Sequence, residues 1–214
     1  PATNAPDLKA DAYYNIGYAY LNKEDISQSL DAFRIYVQSN VKDKRKLADA
    51  YMRVADGHYM LKQNEQAISN YQEVLKLNEG YQDQALYYLA RSYGYSGKPD
   101  LRIKNLLDLV NNHTGSKYMI TSVYEVALTY KAKSDFTNAY RYFNQVVNDY
   151  PNVSLAIDSK IEIADIYFKK GEFGKSESDY KKILDLHSSD RSVCERATRG
   201  LIDIYSALKQ PEKA

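Results

Sequence analysis

"ADAYYNIGYAYLNKEDISQSLDAF", residues 10–33, is the stretch on which the fold turns. Tyr13, Tyr14, Tyr18 and Tyr20 crowd one short helical segment with more aromatic surface than a single helix side can hide, so this helix has two faces to cover. A polar turn, "NKED" over 22–25, follows it. Beyond the turn Ser29 and Phe33, four positions apart, share one face of a second helix.

The pattern recurs along the chain. An aliphatic residue and a small residue, with an aromatic or His three positions on, appear as Ile16-Gly17 with Tyr20, Val54-Ala55 with His58, Leu89-Ala90 with Tyr93, Val126-Ala127 with Tyr130 and Ile163-Ala164 with Tyr167. A sixth instance, Leu201-Ile202 with Tyr205, puts Ile202 in the small-residue place. Successive instances lie 35 to 38 residues apart, a period that belongs to stacked helical repeats. The second halves have their own pair at an offset of four: Ser29 and Phe33, Ala67 and Tyr71, Ala139 and Phe143, Ser176 and Tyr180. Short polar turns, "KQNE", "YSGKPD", "KAKSD" and "KKGE", separate the halves of the later units. Each unit is therefore read as helix, tight turn, helix, with small residues where the paired helices approach.

These residues resemble the tetratricopeptide repeat, and the resemblance covers 10–214. The first unit matches best, through Tyr13, Ile16, Gly17, Tyr20 and Phe33; the fourth supplies Ala127, Tyr130, Ala139, Phe143 and Pro151. The third departs most, with Arg102 where a small residue is wanted and Pro99 opening its second helix, a place that tolerates proline. Pro211 opens the second helix of the sixth unit in the same way. The expectation is an all-α, right-handed α-solenoid of antiparallel helix pairs, about five and a half repeats starting near 10, 48, 83, 120, 157 and 195, as a single domain over 10–214 after an N-terminal linker, 1–9, that opens "PATNAP". The face carrying Leu201, Ile204 and Leu208 is expected to be open and the natural chain to continue past 214. The link "NDYPNVSLAID", with Tyr150-Pro151, Ser154 and Ala156, is similar to links in bacterial envelope repeat proteins of the outer-membrane assembly lipoprotein and Tol-Pal accessory types, which favours a periplasmic or envelope-associated setting over the cytoplasm.

Composition narrows the function classes. The 29 basic and 28 acidic residues nearly cancel, so no electrostatic footprint for a nucleic-acid backbone or an anionic membrane is present, and the cluster Lys42, Lys44, Arg45, Lys46 reads as a solvated loop. No stretch is long and apolar enough to span a bilayer, so no direct membrane insertion is expected. The one cysteine, Cys194, cannot form an internal disulfide and leaves the redox compartment open.

The rings sort by face. Tyr13, Tyr20, Tyr51, Tyr71, Tyr93, Tyr130, Tyr167, Tyr180 and Tyr205, with Phe33, Phe136, Phe143 and Phe173, occupy the packing columns and are expected in the core. The inner face of the first helices is read as Tyr14, Tyr18, Met52, Asp56, Tyr59, Tyr87, Arg91, Tyr95, Tyr124, Leu128, Lys131, Ile161 and Phe168, with Leu21, Met60 and Asp165 beside them. Such a groove is rich in Tyr and Met, has Arg91 and Lys131 as its basic centre and Asp49, Asp56, Asp158 and Asp165 as acidic patches, and suits a segment of a protein or peptide partner. Tyr87, Tyr95 and Tyr124 are placed near its centre. The carboxylate clamp known from chaperone-binding members of the resembled family is not expected: its positions carry Tyr14, Tyr18, Arg53, Gln84 and Tyr88, or in the next register Met52, Asp56, Tyr88, Thr121 and Glu125.

Chemistry finds no foothold. His58 stands in a packing column, His113 lies in a link and His187 near a helix end, none with the partners of a zinc site. No phosphate-cradling glycine loop or nucleophile elbow is present, and Asn112-His113-Thr114 and Asn152-Val153-Ser154 are weak glycosylation triplets only. The reading is a non-catalytic protein-interaction scaffold without cofactor or metal. Two alternatives stand beside it: a spacer of a larger envelope protein, or the regulatory arm of an enzyme whose catalytic part lies elsewhere.

Overall fold

Residues 5–209 are described by the computed structural model, with side chains from residue 8 onward. Among the described residues the chain forms eleven helices and no strand, an all-α helical-repeat solenoid: α1 (Ala5–Leu21), α2 (Ile26–Val37), α3 (Lys44–Met60), α4 (Asn64–Leu77), α5 (Gln82–Tyr95), α6 (Pro99–Asn112), α7 (Met119–Ala132), α8 (Phe136–Asp149), α9 (Ser154–Lys169), α10 (Phe173–Leu186) and α11 (Arg191–Ala207). Helix α1 begins at Ala5, inside the segment read as a linker, because Pro6 falls in a first turn where a missing N–H removes no hydrogen bond. The array packs as two compact units, one ending at Tyr118 and the other beginning at Met119. Pro211 lies outside the described residues.

Each helix pair turns by one device. A residue seven positions after the small residue adopts the left-handed conformation: Glu24, Lys62, Gly97, Ser134, Gly171 and Lys209. In the first five units the next residue donates its backbone N–H to the carbonyl of the column aromatic or His five positions earlier, Asp25 to Tyr20, Gln63 to His58, Lys98 to Tyr93, Asp135 to Tyr130 and Glu172 to Tyr167, at 2.8–3.0 Å. That is a Schellman closure of the first helix. In the first and fourth units the same next residue also caps the second helix, Asp25 accepting from the Gln28 N–H and Asp135 from the Asn138 N–H.

Small residues sit where the helices of a pair meet. The ring of Phe33 lies so close to Gly17 that an added Cβ would be 2.7 Å from it; between neighbouring pairs, Gly200 of α11 is held against the Tyr180 ring of α10 in the same manner. Ser29 and Ser176 do more than leave space, since their buried hydroxyls donate to the Gly17 carbonyl at 2.9 Å and the Ala164 carbonyl at 2.7 Å. In the third unit Arg102, standing where a small residue is expected, lays its stem over Gly94, which has no Cβ to obstruct it.

The first unit builds its core around Phe33, Tyr36 and Val54 and around Met52, Tyr71, Leu89 and Tyr93; the second builds its own around Phe143, Ile163 and Ile166 and around Ile161, Tyr180, Val193 and Ile204. Of the column aromatics Phe33, Tyr71, Tyr93, Phe143, Tyr180 and Tyr205 are buried, while Tyr13, Tyr20, Tyr51, Tyr130, Phe136, Tyr167 and Phe173 are half-buried. His58 is buried as read, with Nδ1 2.6 Å from the Gln63 side-chain oxygen. Ile204 is buried, not open, because it closes against the α10 cluster; Leu208 remains exposed.

Candidate functional site

The face shared by α1, α3 and α5 within the first unit is held by a line of polar contacts. Tyr14 and Tyr18 both donate hydroxyls to Asp49 Oδ2, the first at 2.7 Å. Arg53 reaches Asp49 Oδ1 at 3.3 Å and Asp56 Oδ2 at 3.1 Å, and the Tyr71 hydroxyl donates to Asp56 Oδ1 at 2.8 Å. Asp49 is buried, so its charge is tolerable only because it is both paired and hydrogen-bonded. Burial raises the Tyr14 phenol, with the Asp49 carboxylate adding to the rise. Burial also holds the Asp56 carboxyl above the usual carboxylate range, against the lowering pull of Tyr71 and Arg53, and Asp49 adds to the rise.

Beside this line opens a cavity of about 310 Å³, lined among others by Leu21, Arg53, Asp56, Tyr59, Gln84 and Tyr88. Its wall therefore pairs aliphatic and aromatic surface with one guanidinium and one carboxylate. A neighbouring cavity of about 580 Å³ is lined by Tyr59, Met60, Lys62, Asn64 and Tyr95. Tyr95 is 63% exposed, and the Arg91 guanidinium lies 5.8 Å over the Tyr59 ring and 5.7 Å over the Tyr87 ring while donating to the Tyr95 hydroxyl at 3.4 Å.

In the second unit the corresponding charges answer one another. Lys131 pairs with Glu162 and Asp165, and Arg196 with Asp158 and, at 4.0 Å, Glu162. Although burial lowers the Lys131 ammonium, its two carboxylate partners raise it further, so the net shift is upward. Tyr124 packs edge-on against Phe143, and the Phe168 ring lies tilted against that of Phe173. Leu128 is half-buried against the α8 cluster.

Several residues read onto the groove are differently placed. Met52 and Ile161 are buried core residues, and Tyr87 is buried with its ring stacked 4.6 Å from that of Tyr118, so they offer a partner little or no surface. Tyr14 and Tyr18 are half-buried against Phe33 as well as bonded to Asp49. Of the proposed centre, Tyr87 and Tyr95 belong to the first unit and Tyr124 to the second. The residues that the groove reading omitted are Arg53, Gln84 and Tyr88, which it met only as positions of an unfit clamp. Met52 turns into the core and its neighbour Arg53 lines the cavity, since helical periodicity leaves adjacent positions about 100° apart and cannot say which of two meets a neighbouring helix.

Among the described residues no group of three or more His, Cys, Asp and Glu could hold a metal ion, and no helix is long and apolar enough to cross a membrane. Cys194 is half-buried, with Sγ 3.4 Å from the His187 carbonyl.

Residues 10–37 and 157–189 match one tetratricopeptide-repeat family model and residues 122–152 another. No curated protein matches the chain in sequence. Among solved structures it is similar to MamA from Desulfovibrio magneticus RS-1, residues 41 to the end, at 16% identity over 89% of this chain and 99% of that one with a TM-score of 0.68. PilF of Pseudomonas aeruginosa is similar at 17% identity over 99% and 89%, TM-score 0.63. The apo form of RapI is similar at 12% identity over 96% and 65%, TM-score 0.74. At these identities the likeness is one of fold.

Proposed function

Because this chain is a tetratricopeptide-repeat protein, we propose that it is a non-catalytic scaffold that holds a segment of another protein against the α1–α3–α5 face of its first unit. The observation that carries this reading is the cavity of about 310 Å³ on that face, where Tyr59 and Tyr88 supply apolar area and Arg53, Asp56 and Gln84 supply polar groups. The hydrogen bonds that fix Arg53 and Asp56 in place let the face bind with little rearrangement. Tyr95 and Met60 extend it with exposed contact area.

The test is a paired pull-down from soluble and envelope fractions of the source cell, with the parent chain and a Tyr59→Ala/Asp56→Asn variant as baits. Circular dichroism must first find both baits equally helical. A protein retained by the parent and lost with the variant is the expected result; equal retention by both would take the function away from this face.

A further inference from the structure

A different groove lies wholly within the second unit, on the side formed by α8, α9 and α10. Its cavity measures about 280 Å³. Val147, Ile163 and Ile183 give it an apolar floor, and Tyr140 and Tyr167, with ring centroids 6.1 Å apart, form one wall. Apolar surface continues past the cavity onto solvent-facing side chains, since Leu186 is 72% and Tyr140 38% exposed. A ligand that used this surface would be longer than one side chain.

The charges on the rim do not cancel. Lys182 is matched by Asp179 at 3.6 Å, but Lys160, half-buried in the lining, makes no ion pair among the described residues. Nearby Lys175 sits 5.3 Å over the Tyr167 ring and is paired with Glu172. The lining thus carries two ammonium groups and one carboxylate beside an apolar floor, and the side chain that would complement it combines an aliphatic or aromatic group with a neighbouring carboxylate.

We propose that this groove is a second docking surface, one that takes an acidic amphipathic segment of a partner protein, with an apolar side chain on Val147, Ile163 and Ile183 and a carboxylate on Lys160. The proposal is independent of the face assigned to the first unit, and either can fail alone. No carboxylate among the described residues pairs with Lys160, so one arriving with a partner meets a cation that is not already neutralised.

The experiment is a random-peptide display selection against the whole chain. Enriched peptides are then titrated by fluorescence polarisation against the parent and the Lys160→Glu, Lys160→Arg and Asp56→Asn variants. The expected outcome is enrichment of peptides with Asp or Glu next to Leu, Ile or Phe. Their affinity should drop by about tenfold or more in Lys160→Glu and stay near the parent value in Lys160→Arg and Asp56→Asn. Enrichment of basic or neutral peptides only, acidic peptides indifferent to Lys160→Glu, or no enrichment would each overturn the proposal. So would decanoate occupying the groove while no peptide does, which would make it a small-carboxylate site. Peptides lost with Asp56→Asn but not with Lys160→Glu would support the first unit's face while overturning this one.

Discussion

At the scale of single residues, three glycines that look alike in sequence are set apart by what stands over them. Gly17 and Gly200 each face a packed ring, that of Phe33 and that of Tyr180, whereas among the described residues nothing lies within 4 Å of the place where Gly174 would carry a Cβ. Gly17→Ala should cost about 1–3 kcal/mol from overpacking, only partly offset by the roughly 1 kcal/mol helix preference of Ala over Gly. Gly174→Ala, with no ring to meet, should stabilise by a few tenths of a kcal/mol up to about 1. Urea melts of the two variants must therefore move in opposite directions. Tyr36 gives a second residue-scale prediction. Its hydroxyl is buried without a hydrogen-bond partner among the described residues, and burial, helped by Asp11, Asp43 and Asp49, pushes the phenol from 10.0 up to about 12. Because the folded state keeps this proton longer than the unfolded chain does, the stability Tyr36 contributes is complete below about pH 10 and is lost as pH rises towards 12. Tyr36→Phe should be as stable as the parent or more so at about pH 8, since an unpaired hydroxyl is removed, and should gain on the parent between about pH 10 and 12. Paired denaturant melts at the two ends of that window measure it.

At the scale of the element, the helix pair is standardised by its turn. The left-handed residue is Gly in the third and fifth units and Glu24, Lys62 and Ser134 in the first, second and fourth. An L side chain there costs about 1–2 kcal/mol that glycine avoids, less what glycine loses in unfolded-state entropy. Glu24→Gly, Lys62→Gly and Ser134→Gly should each stabilise by about 0.5–1 kcal/mol, and Gly97→Ala or Gly171→Ala should cost about 1 kcal/mol, read from urea midpoints at unchanged m-value. These turns were legible as short polar stretches but not as left-handed positions, because Glu, Lys and Ser carry no local signal for that conformation. The helix pairs themselves were legible for a stronger reason: the small residue and the column aromatic recur at fixed offsets, and only a repeated contact explains that.

At the scale of the whole molecule, the sequence disclosed the fold and only part of the site. Of the thirteen aromatics expected in the packing columns six are buried and seven half-buried, Tyr36 and Tyr87, both buried, stand in no column, and Met52 and Ile161, read onto the groove, are core residues. What a helix face touches depends on the neighbouring helices, and a period along one chain does not contain that information. The balance of 29 basic against 28 acidic residues is a property of the whole chain, and it predicts that the protein passes through immobilised DNA without retention at about 0.15 M salt. Retention would mean that the local charges outweigh the net one. Finally, the two small-residue positions within each of the first five pairs are always 12 apart, as 17 and 29 or 164 and 176, so all variation of the 35–38 period falls between one pair's second position and the next pair's first, in the links and the helix ends that flank them. The chain is thereby divisible into interchangeable cassettes. Cutting after one left-handed residue and rejoining after another, for instance after Glu24 and after Lys62, removes or duplicates a full period without shortening any helix or shifting the left-handed residue of any turn, which makes lengthening and shortening by recombination a built-in property of this architecture.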